Sequence, residues 1–433
     1  MVAANFSPFI VRRGLVQSLR FELAFLLGLG VVLPVLAVAF IDANGQIERT
    51  AEFLGARTYI NSTIGVFIAT VIATLALRQL RHYPGVAVAR SILPVLGILF
   101  GLLIACVVAL RIEYSSKILI VTFLAVLTAR YAVTAMRSRA KGLLYYLVPG
   151  GNVELIHELK TAAVVSMSTP SVETLPNCAV VVDLRADHSE AWERFLAEAA
   201  ISGRPIYHYK QVWEAETGRV QIDHLSENGF GALVPSMSYQ KIKRAVDLVF
   251  TALILPIILV LIGVCALLVK LDSKGPVFFR QKRMGFRGKI FDVLKLRTMT
   301  VGHDGGDRTL SMTQDGDQRI TKIGQFLRRT RLDELPQVYN IIRGEMSWIG
   351  PRPEAVSLSE WYEAEIPFYR YRHIVRPGIT GWAQVNQGHV ADVTAVHEKL
   401  TYDFYYVKNL SYWLDIIIAL RTVRVVLTGH GAK

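Results

Sequence analysis

Only three cysteines occur in the 433 residues of this chain. Cys106 and Cys265 lie in apolar runs, Cys178 lies in a globular stretch, and none has a partner at metal-ligand spacing. An odd count placed this way excludes a disulfide framework and leaves small buried hydrophobes as the expected role. Charge is scarce too: charged residues make up 19% of the chain and apolar ones 52%. Ordinary soluble domains carry about 25% charged residues, so the deficit points to an integral membrane protein. Acidic groups are the scarcer sign. The net charge is +13, and residues 236–433 hold +10 of it, with 28 basic against 18 acidic groups. That excess calls for anionic partners such as lipid headgroups, phosphates or nucleic acid. The first apolar run is too long for a signal peptide and lacks a small-residue cleavage site, so none is expected.

What the first third does have is long apolar runs, at roughly 21–41, 63–80, 91–110 and 118–136. Each approaches the ~20 residues that span a bilayer as a helix. Arg12, Arg13 and Arg20 precede the first; Arg78, Arg81 and Arg90 follow the second; Arg130, Arg137, Arg139 and Lys141 close the fourth. The loop after the first run mixes Asp42, Glu48 and Glu52 with Arg49 and Arg57, and the third loop is ambiguous. The positive-inside rule then places both ends of a four-helix unit in the cytoplasm.

Residues 143–235 read as a soluble α/β domain. "LLYYLVPGG" predicts a strand entering a glycine turn, "AAVVSM", "CAVVVDL" and "RPIYHYK" predict further strands, and "NVELIHELK" and "SEAWERFLAEAAISG" predict helices. Alternating strands and helices imply a small parallel sheet. "PGGN" after a strand is similar to a dinucleotide-binding turn but lacks the full G-x-G-x-x-G. The domain is therefore read as structural or regulatory.

A fifth apolar run, 245–270, is also long enough to cross. Crossing would put the remaining basic and acidic groups outside the cell, away from nucleotide-activated substrates. Pro256 near its middle removes a backbone donor and favours a kink or break. Lys241, Lys243 and Arg244 flank one end, and Lys270 and Lys274 the other. A re-entrant helix with both ends on one membrane face is the favoured reading.

Next, "GPVFFRQKRMGFRGKIFDVLKLRTM" predicts strand–turn–strand, with basic residues interleaved with Phe278, Phe279 and Phe286. That pattern suits nucleic acid or a headgroup surface. The adjacent membrane segment favours lipid. In "RITKIGQFLRRTRLDELPQVYNIIRGEMSWIGPRPE", the spacing predicts a helix starting near Asp333 and ending at Gly344, since Pro336 is tolerated only in a first turn. Asp333 would then be an N-cap and Glu334 a partner of the helix dipole. Against that bland role stand Arg352, held between two prolines in "GPRPE", and Arg376 on the turn of "RPGITGW". A restricted guanidinium suits bidentate phosphate recognition. Carboxylates beside such groups point to phosphate chemistry.

On these motifs, in this order, the chain resembles the bacterial sugar transferase family, the monotopic phosphoglycosyl transferases, in its long polyprenyl-phosphate hexose-1-phosphate transferase form. "KRAVDL", "GPVFFRQKRMG", "KLRTM", "RITKIGQFLRRTRLDELPQ", "MSWIGPRPE", "RPGITGWAQVN" and "KLTYDFYYVKNLSYWLDI" carry the resemblance over about residues 238–430. It is only general for the N-terminal helices and the α/β domain. Where the family usually has glycine after "WAQVN", Gln387 stands here, followed by Gly388.

The resemblance implies a membrane protein of α + α/β class. Residues 1–140 would form four transmembrane helices, 141–236 a small Rossmann-like domain, and 237–433 a catalytic α/β domain with the re-entrant helix 245–270. It implies an enzyme of the bacterial inner membrane, multi-pass, with its catalytic domain facing the cytoplasm. Asp333 would attack the sugar-bearing phosphate of a UDP-hexose, expelling UMP, and undecaprenyl phosphate would then accept the phosphosugar. Glucose is the expected hexose and galactose the next. Mg²⁺ would be held by Asp333 and Glu334; Lys295, Arg297, Arg352 and Arg376 would bind phosphate. Membrane lipids are expected partners and nucleic acid is not; a homodimer is compatible with this reading. The competing classes are a non-enzymatic membrane regulator binding nucleotide and anionic lipid, and a transporter of the lipid-linked product. The segment 411–429 is read either as an interfacial helix or as a core helix of the catalytic domain.

Overall fold

A computed structural model describes residues 18–80, 88–138, 144–159, 163–171, 179–220, 237–300, 319–387 and 393–428. Arg12, Arg13, Arg81, Arg139, Lys141, Cys178 and Gly388 lie outside them, as does the side chain of Arg90. The chain divides into two compact units, Met1–Gly218 and Arg219–Lys433.

In the first unit, α1 (Leu19–Leu27) runs through one wider turn, Gly28–Val32, into α2 (Leu33–Asp42). A short α3 (Ile47–Gly55) leads to α4 (Arg57–Leu80), α5 (Val88–Ala109) and α6 (Ser116–Ser138). Leu19–Asp42, Arg57–Leu80, Ser91–Ala109 and Ser116–Arg137 are each long and apolar enough to cross a membrane, matching the four runs read from sequence. Their buried stripes use small residues, Ala69 and Ala73 on α4 among them. Small side chains let helices approach closely where water supplies no driving force between them.

The α/β part has a four-stranded parallel sheet ordered β2–β1–β3–β4, with β1 Leu144–Leu147, β2 Ala163–Ser166, β3 Ala179–Val182 and β4 Ile206–His208. Alternation puts Tyr145, Leu147, Ala179 and Val181 into one core, and Val180 and Val182 with Phe195 into the other. Burial on both faces is what a parallel sheet requires. Helix α7 (Glu190–Ile201) and α8 (Tyr209–Thr217) form as the sequence suggests, while "NVELIHE" makes a 3₁₀ turn over Val153–Glu158. At the glycine turn, the Asn152 amide donates to Asp183 Oδ2 at 3.0 Å. A carboxylate of the chain thus occupies this backbone donor.

The second unit begins with α9 (Met237–Asp272), one helix with Pro256 inside it. Both of its ends are fixed to the same folded body. Near the start, Lys243 pairs with Asp415 at 2.7 Å, Arg244 donates to the carbonyl of Ile342 at 2.9 Å, and Trp348 Nε1 donates to Thr251 Oγ1 at 2.9 Å. Near the end, Cys265 and Val269 pack with Leu296 and Leu327. Between them, Leu253 is 73% exposed and Ile257, Leu259 and Val260 are exposed as well.

The body itself is built on an antiparallel hairpin, β5 (Phe278–Met284) and β6 (Ile290–Leu296), as the sequence suggests. Helix α10 (Lys322–Thr330) leads through a 3₁₀ turn, Leu332–Gln337, into α11 (Val338–Arg343). A second small sheet pairs β7 (Ser347–Ile349) with β8 (Gly378–Thr380) in parallel. Gly378 is obligatory there: a Cβ would lie 2.1 Å from the Gly350 nitrogen. Helices α12 (Val356–Glu365), α13 (Trp382–Asn386), α14 (Val393–Lys408) and α15 (Tyr412–Thr428) complete the unit. Leu414, Ile417 and Ile418 of α15 are buried and Arg421 lies 4.6 Å over the Trp382 ring, so this helix packs into the domain. Gln387 has φ −106, a conformation open to any residue, and its side chain donates to the Ala395 carbonyl at 2.9 Å. Losing a glycine at this position therefore introduces no strain.

Candidate active site

The acidic pair does not sit where helix rules place it. Arg331, at φ 60, closes α10 and opens the 3₁₀ turn directly, with no residue between. Asp333 is thus the second residue of that turn, and the α-helix starts only at Val338, after Pro336. Proline has no amide hydrogen to give and suits the tighter first turn. The expected helix start near Asp333 is corrected accordingly: Asp333 is no cap, which removes the bland role for its carboxylate.

Both carboxylates are buried, Asp333 at 7% exposure and Glu334 at 5%. Glu334 is held by a basic cradle: Arg352 Nη2 lies 2.6 Å from Oε1 and Nη1 3.4 Å from Oε2, Lys295 Nζ is 3.4 Å away and Arg331 Nη1 3.6 Å. Burial alone would raise the Glu334 pKa, but the charges of Arg352 and Lys295 outweigh it and hold the carboxyl well below its usual range. Asp333 goes the other way. Burial raises it, the neighbouring Glu334 charge adds to that, and the pull of Lys295 and Arg352 is insufficient to reverse it. Among the described residues, Asp333 Oδ1 has no hydrogen-bond partner. One carboxylate is therefore locked in place while its neighbour keeps an uncommitted oxygen, an arrangement that splits the roles of two adjacent acids.

Alternation along β6 places Lys295. Phe291 and Val293 share its face and pack on Ile341 and Met346 of the segment after the dyad. Asn340 ties the two elements together, accepting from the Leu294 amide at 3.1 Å and donating to the Asp292 carbonyl at 2.7 Å. Burial lowers the Lys295 pKa to about 8, against the opposing pull of Glu334.

Arg352 is mounted on a turn whose carbonyls are all engaged. Pro351 accepts from the Gly378 amide at 3.0 Å, Arg352 from Arg372 Nη2 at 2.8 Å, Pro353 from Arg283, and Glu354 from the Met284 amide at 3.0 Å. Arg372 also pairs with Asp403 at 2.8 Å and donates to Tyr369 Oη at 2.6 Å, and Lys399 pairs with Glu354. Glu354, Arg372, Lys399 and Asp403 were not singled out from sequence, and Arg283 only as one of the basic residues of the hairpin. Their partners lie tens of residues away, and no local pattern signals such pairings. Arg372→Gln is expected to destabilise this domain by about 3–5 kcal/mol, because Asp403 would be left buried without its counter-charge. The melting temperature of the purified variant checks this; an unchanged value would assign the network no structural role.

Arg297 and Arg376 each make hydrogen bonds at a helix end. Arg297 Nη2 donates to the Ser273 carbonyl at 2.7 Å and its Oγ at 2.9 Å, at the end of α9. Arg376 Nε donates to the Gly344 carbonyl at 3.1 Å, at the end of α11, and its guanidinium lies 5.1 Å over the Phe286 ring. Both satisfy carbonyls at helix C-termini, which attract a guanidinium as a phosphate does. The structure brings together Asp333, Glu334, Lys295 and Arg352. Pro256 sits inside α9.

A buried dyad of unlike carboxylates, facing fixed cations on a domain that carries its own apolar helix, defines a membrane-associated transferase of phosphate-bearing groups. The chain belongs to the bacterial sugar transferase family, whose family model matches residues 238–429, and it is a phosphoglycosyl transferase by class. It is 39% identical over 86% of its length to the UDP-N-acetylgalactosamine-undecaprenyl-phosphate N-acetylgalactosaminephosphotransferase of Aeromonas hydrophila, covering 88% of that protein. It is 41% identical over 47% of its length to a UDP-glucose:undecaprenyl-phosphate glucose-1-phosphate transferase of Caulobacter vibrioides, covering 76% of that protein. To the enzyme of the same name from Escherichia coli it is 45% identical over 42% of its length and 39% of that protein's.

Proposed function

We propose that this protein transfers a hexose-1-phosphate from a UDP-sugar to undecaprenyl phosphate at the bacterial inner membrane, releasing UMP and starting the synthesis of a surface polysaccharide. The observation that carries the reading is the buried Asp333, with an uncommitted oxygen, beside a Glu334 fixed by Arg352 and Lys295. An Asp333 oxygen attacks the sugar-bearing phosphorus, and the bond from that phosphorus to the bridging oxygen breaks. UMP departs with the bridging oxygen and its electron pair. A phosphosugar–aspartyl anhydride remains, reactive enough to pass the group on. An oxygen of undecaprenyl phosphate then attacks the same phosphorus and releases the Asp333 carboxylate. Lys295 and Arg352 stabilise the charge on the phosphoryl oxygens in both steps.

Mg²⁺ fits this donor set. The cation is commonly held by one or two carboxylates together with substrate phosphates, and Asp333 and Glu334 supply two, one with a free oxygen. It would offset the repulsion between the dyad and the diphosphate. Among the described residues there is no cluster of three or more His, Cys, Asp or Glu, so the substrate phosphates would complete the site.

The re-entrant reading of α9 is supported by the anchoring of both of its ends to one domain. A helix of 36 residues that rises about 1.5 Å per residue and crosses straight would carry those ends to opposite sides. Pro256 lies in the exposed apolar middle, where a bend would turn the helix back. Basic groups then meet the headgroups on the cytoplasmic face, at the height of the acceptor's phosphate.

Glucose is the first donor to test, because several relatives of the catalytic region are named for it. The relative that matches nearly the whole chain is named for N-acetylgalactosamine, which makes that sugar the second. Membranes containing the protein, given radiolabelled UDP-glucose, UDP-galactose and UDP-N-acetylgalactosamine, are expected to form labelled lipid with one donor and to release UMP. Initial rates with both substrates varied are expected to give parallel double-reciprocal lines. Intersecting lines would replace the covalent step by direct attack of the lipid phosphate.

A further inference from the structure

A cluster of titratable groups lies in the N-terminal helices, within the other compact unit. Glu22, in the first turn of α1, is fully buried. Three guanidiniums converge on it: Arg130 of α6 on Oε1, and Arg78 of α4 at 2.9 Å and Arg137 of α6 at 2.7 Å on Oε2. Sequence offers no other acid nearby along the chain. Segments 1–21, 78–90 and 130–143 contain ten lysines and arginines and no aspartate or glutamate. Arg130 is 1% exposed, and among the described residues its Nε and Nη2 have no hydrogen-bond partner.

The orphaned Arg130 donors are costly in an apolar bundle. Three arginines around one carboxylate form a pre-built tetrahedral-anion receptor, for which the planar forked donors are well matched. Side-chain exposures of 21% at Arg78 and 10% at Arg137 leave an open side. Arg78 and Arg137 stand in the last turns of their spans, where headgroups begin. Exposed apolar side chains flank them along the helices: Leu75 on α4, and Tyr131 and Met136 on α6.

We propose that Arg78, Arg130 and Arg137 bind the phosphate of an anionic lipid, with Glu22 as an internal counter-charge that holds the arginines together. The phosphate enters at Arg78 and Arg137, shares them with the carboxylate, and supplies the acceptors that Arg130 lacks. The acyl chains lie along the exposed apolar faces. This site stands independently of the transferase reading, and it makes the N-terminal helices a lipid-responsive element.

The test uses the full-length protein purified in a neutral detergent and titrated with phosphatidylglycerol, diacylglycerol or inorganic phosphate. Melting temperature and lipid retention in native mass spectrometry are the readouts. Phosphatidylglycerol is expected to raise the melting temperature and stay bound, while diacylglycerol does neither. Arg137→Gln, more exposed than Arg130, is expected to weaken binding about tenfold, the worth of one charge-assisted hydrogen bond. Glu22→Gln is expected to tighten it, because a competing acceptor is lost; Arg130→Gln serves as a third variant if it folds. Equal phosphatidylglycerol binding by wild type, Arg137→Gln and Glu22→Gln would overturn the site. An equal shift from inorganic phosphate at the same concentration would overturn the lipid as its occupant.

Discussion

Asp333→Asn is expected to lower phosphosugar transfer at least about 10⁴-fold, the scale of removing a nucleophile whose companions cannot replace it. The same substitution is expected to leave the melting temperature unchanged or to raise it. Burial already pushes the Asp333 pKa upward, so the folded protein holds its charged form at a disadvantage relative to water. A neutral amide of the same shape removes that disadvantage at neutral pH. It breaks no hydrogen bond of Oδ1 among the described residues. Loss of function without loss of stability is the mark of a group kept for chemistry. A second readout is independent of turnover. Given the sugar donor alone, wild type is expected to release about one UMP per active site and become labelled, as a two-step covalent mechanism requires; Asp333→Asn is expected to do neither. Normal transfer by the variant would end the assignment.

The parts of this architecture that depend on neighbours in the chain were open to reading from sequence. Apolar length is visible in sequence, so four helices long and apolar enough to cross a membrane fall on the runs read from residues 21–136. Strand alternation located β5 and β6 and, with them, Lys295. Asp333, Glu334 and Arg352 stood out because carboxylates beside arginines on proline turns are chemically conspicuous. What the sequence did not mark has one physical origin. Arg297 and Arg376 look like phosphate ligands in sequence, yet a helix C-terminus attracts the same side chain, and only the fold decides which acceptor is near. The network behind Arg352 joins Arg372 to Asp403 and Lys399 to Glu354 across long chain separations. The left-handed residue that starts the 3₁₀ turn is an arginine, Arg331, and not a glycine, so no residue type marked it.

Arg352→Lys is expected to lower kcat/KM by about 10²–10³, the range seen when one preorganised donor to a developing oxyanion is lost. Charge is kept in this variant, so the loss measures geometry. Arg352 grips Glu334 through two nitrogens, at 2.6 and 3.4 Å, and a lysine offers one point charge with no planar fork. Its mount argues for the same conclusion: all four carbonyls from Pro351 to Glu354 are engaged, so the backbone is unable to shift to bring a shorter-reaching group into place. Two routes to the loss remain distinct. If Arg352 acts only by orienting Glu334, then Glu334→Gln should produce the same defect, and the double variant should be no worse than the worse single one, as expected for two residues that act as a pair. If Arg352 also meets the transferring phosphate, the double variant falls further than either. The geometry favours the first outcome in the free enzyme, where the guanidinium is committed to Glu334, and the second once a diphosphate enters and competes for it. A double-mutant cycle measured on kcat/KM for the donor, and again on release of UMP in a single turnover, separates the two. Full activity in Arg352→Lys would remove Arg352 from the site altogether.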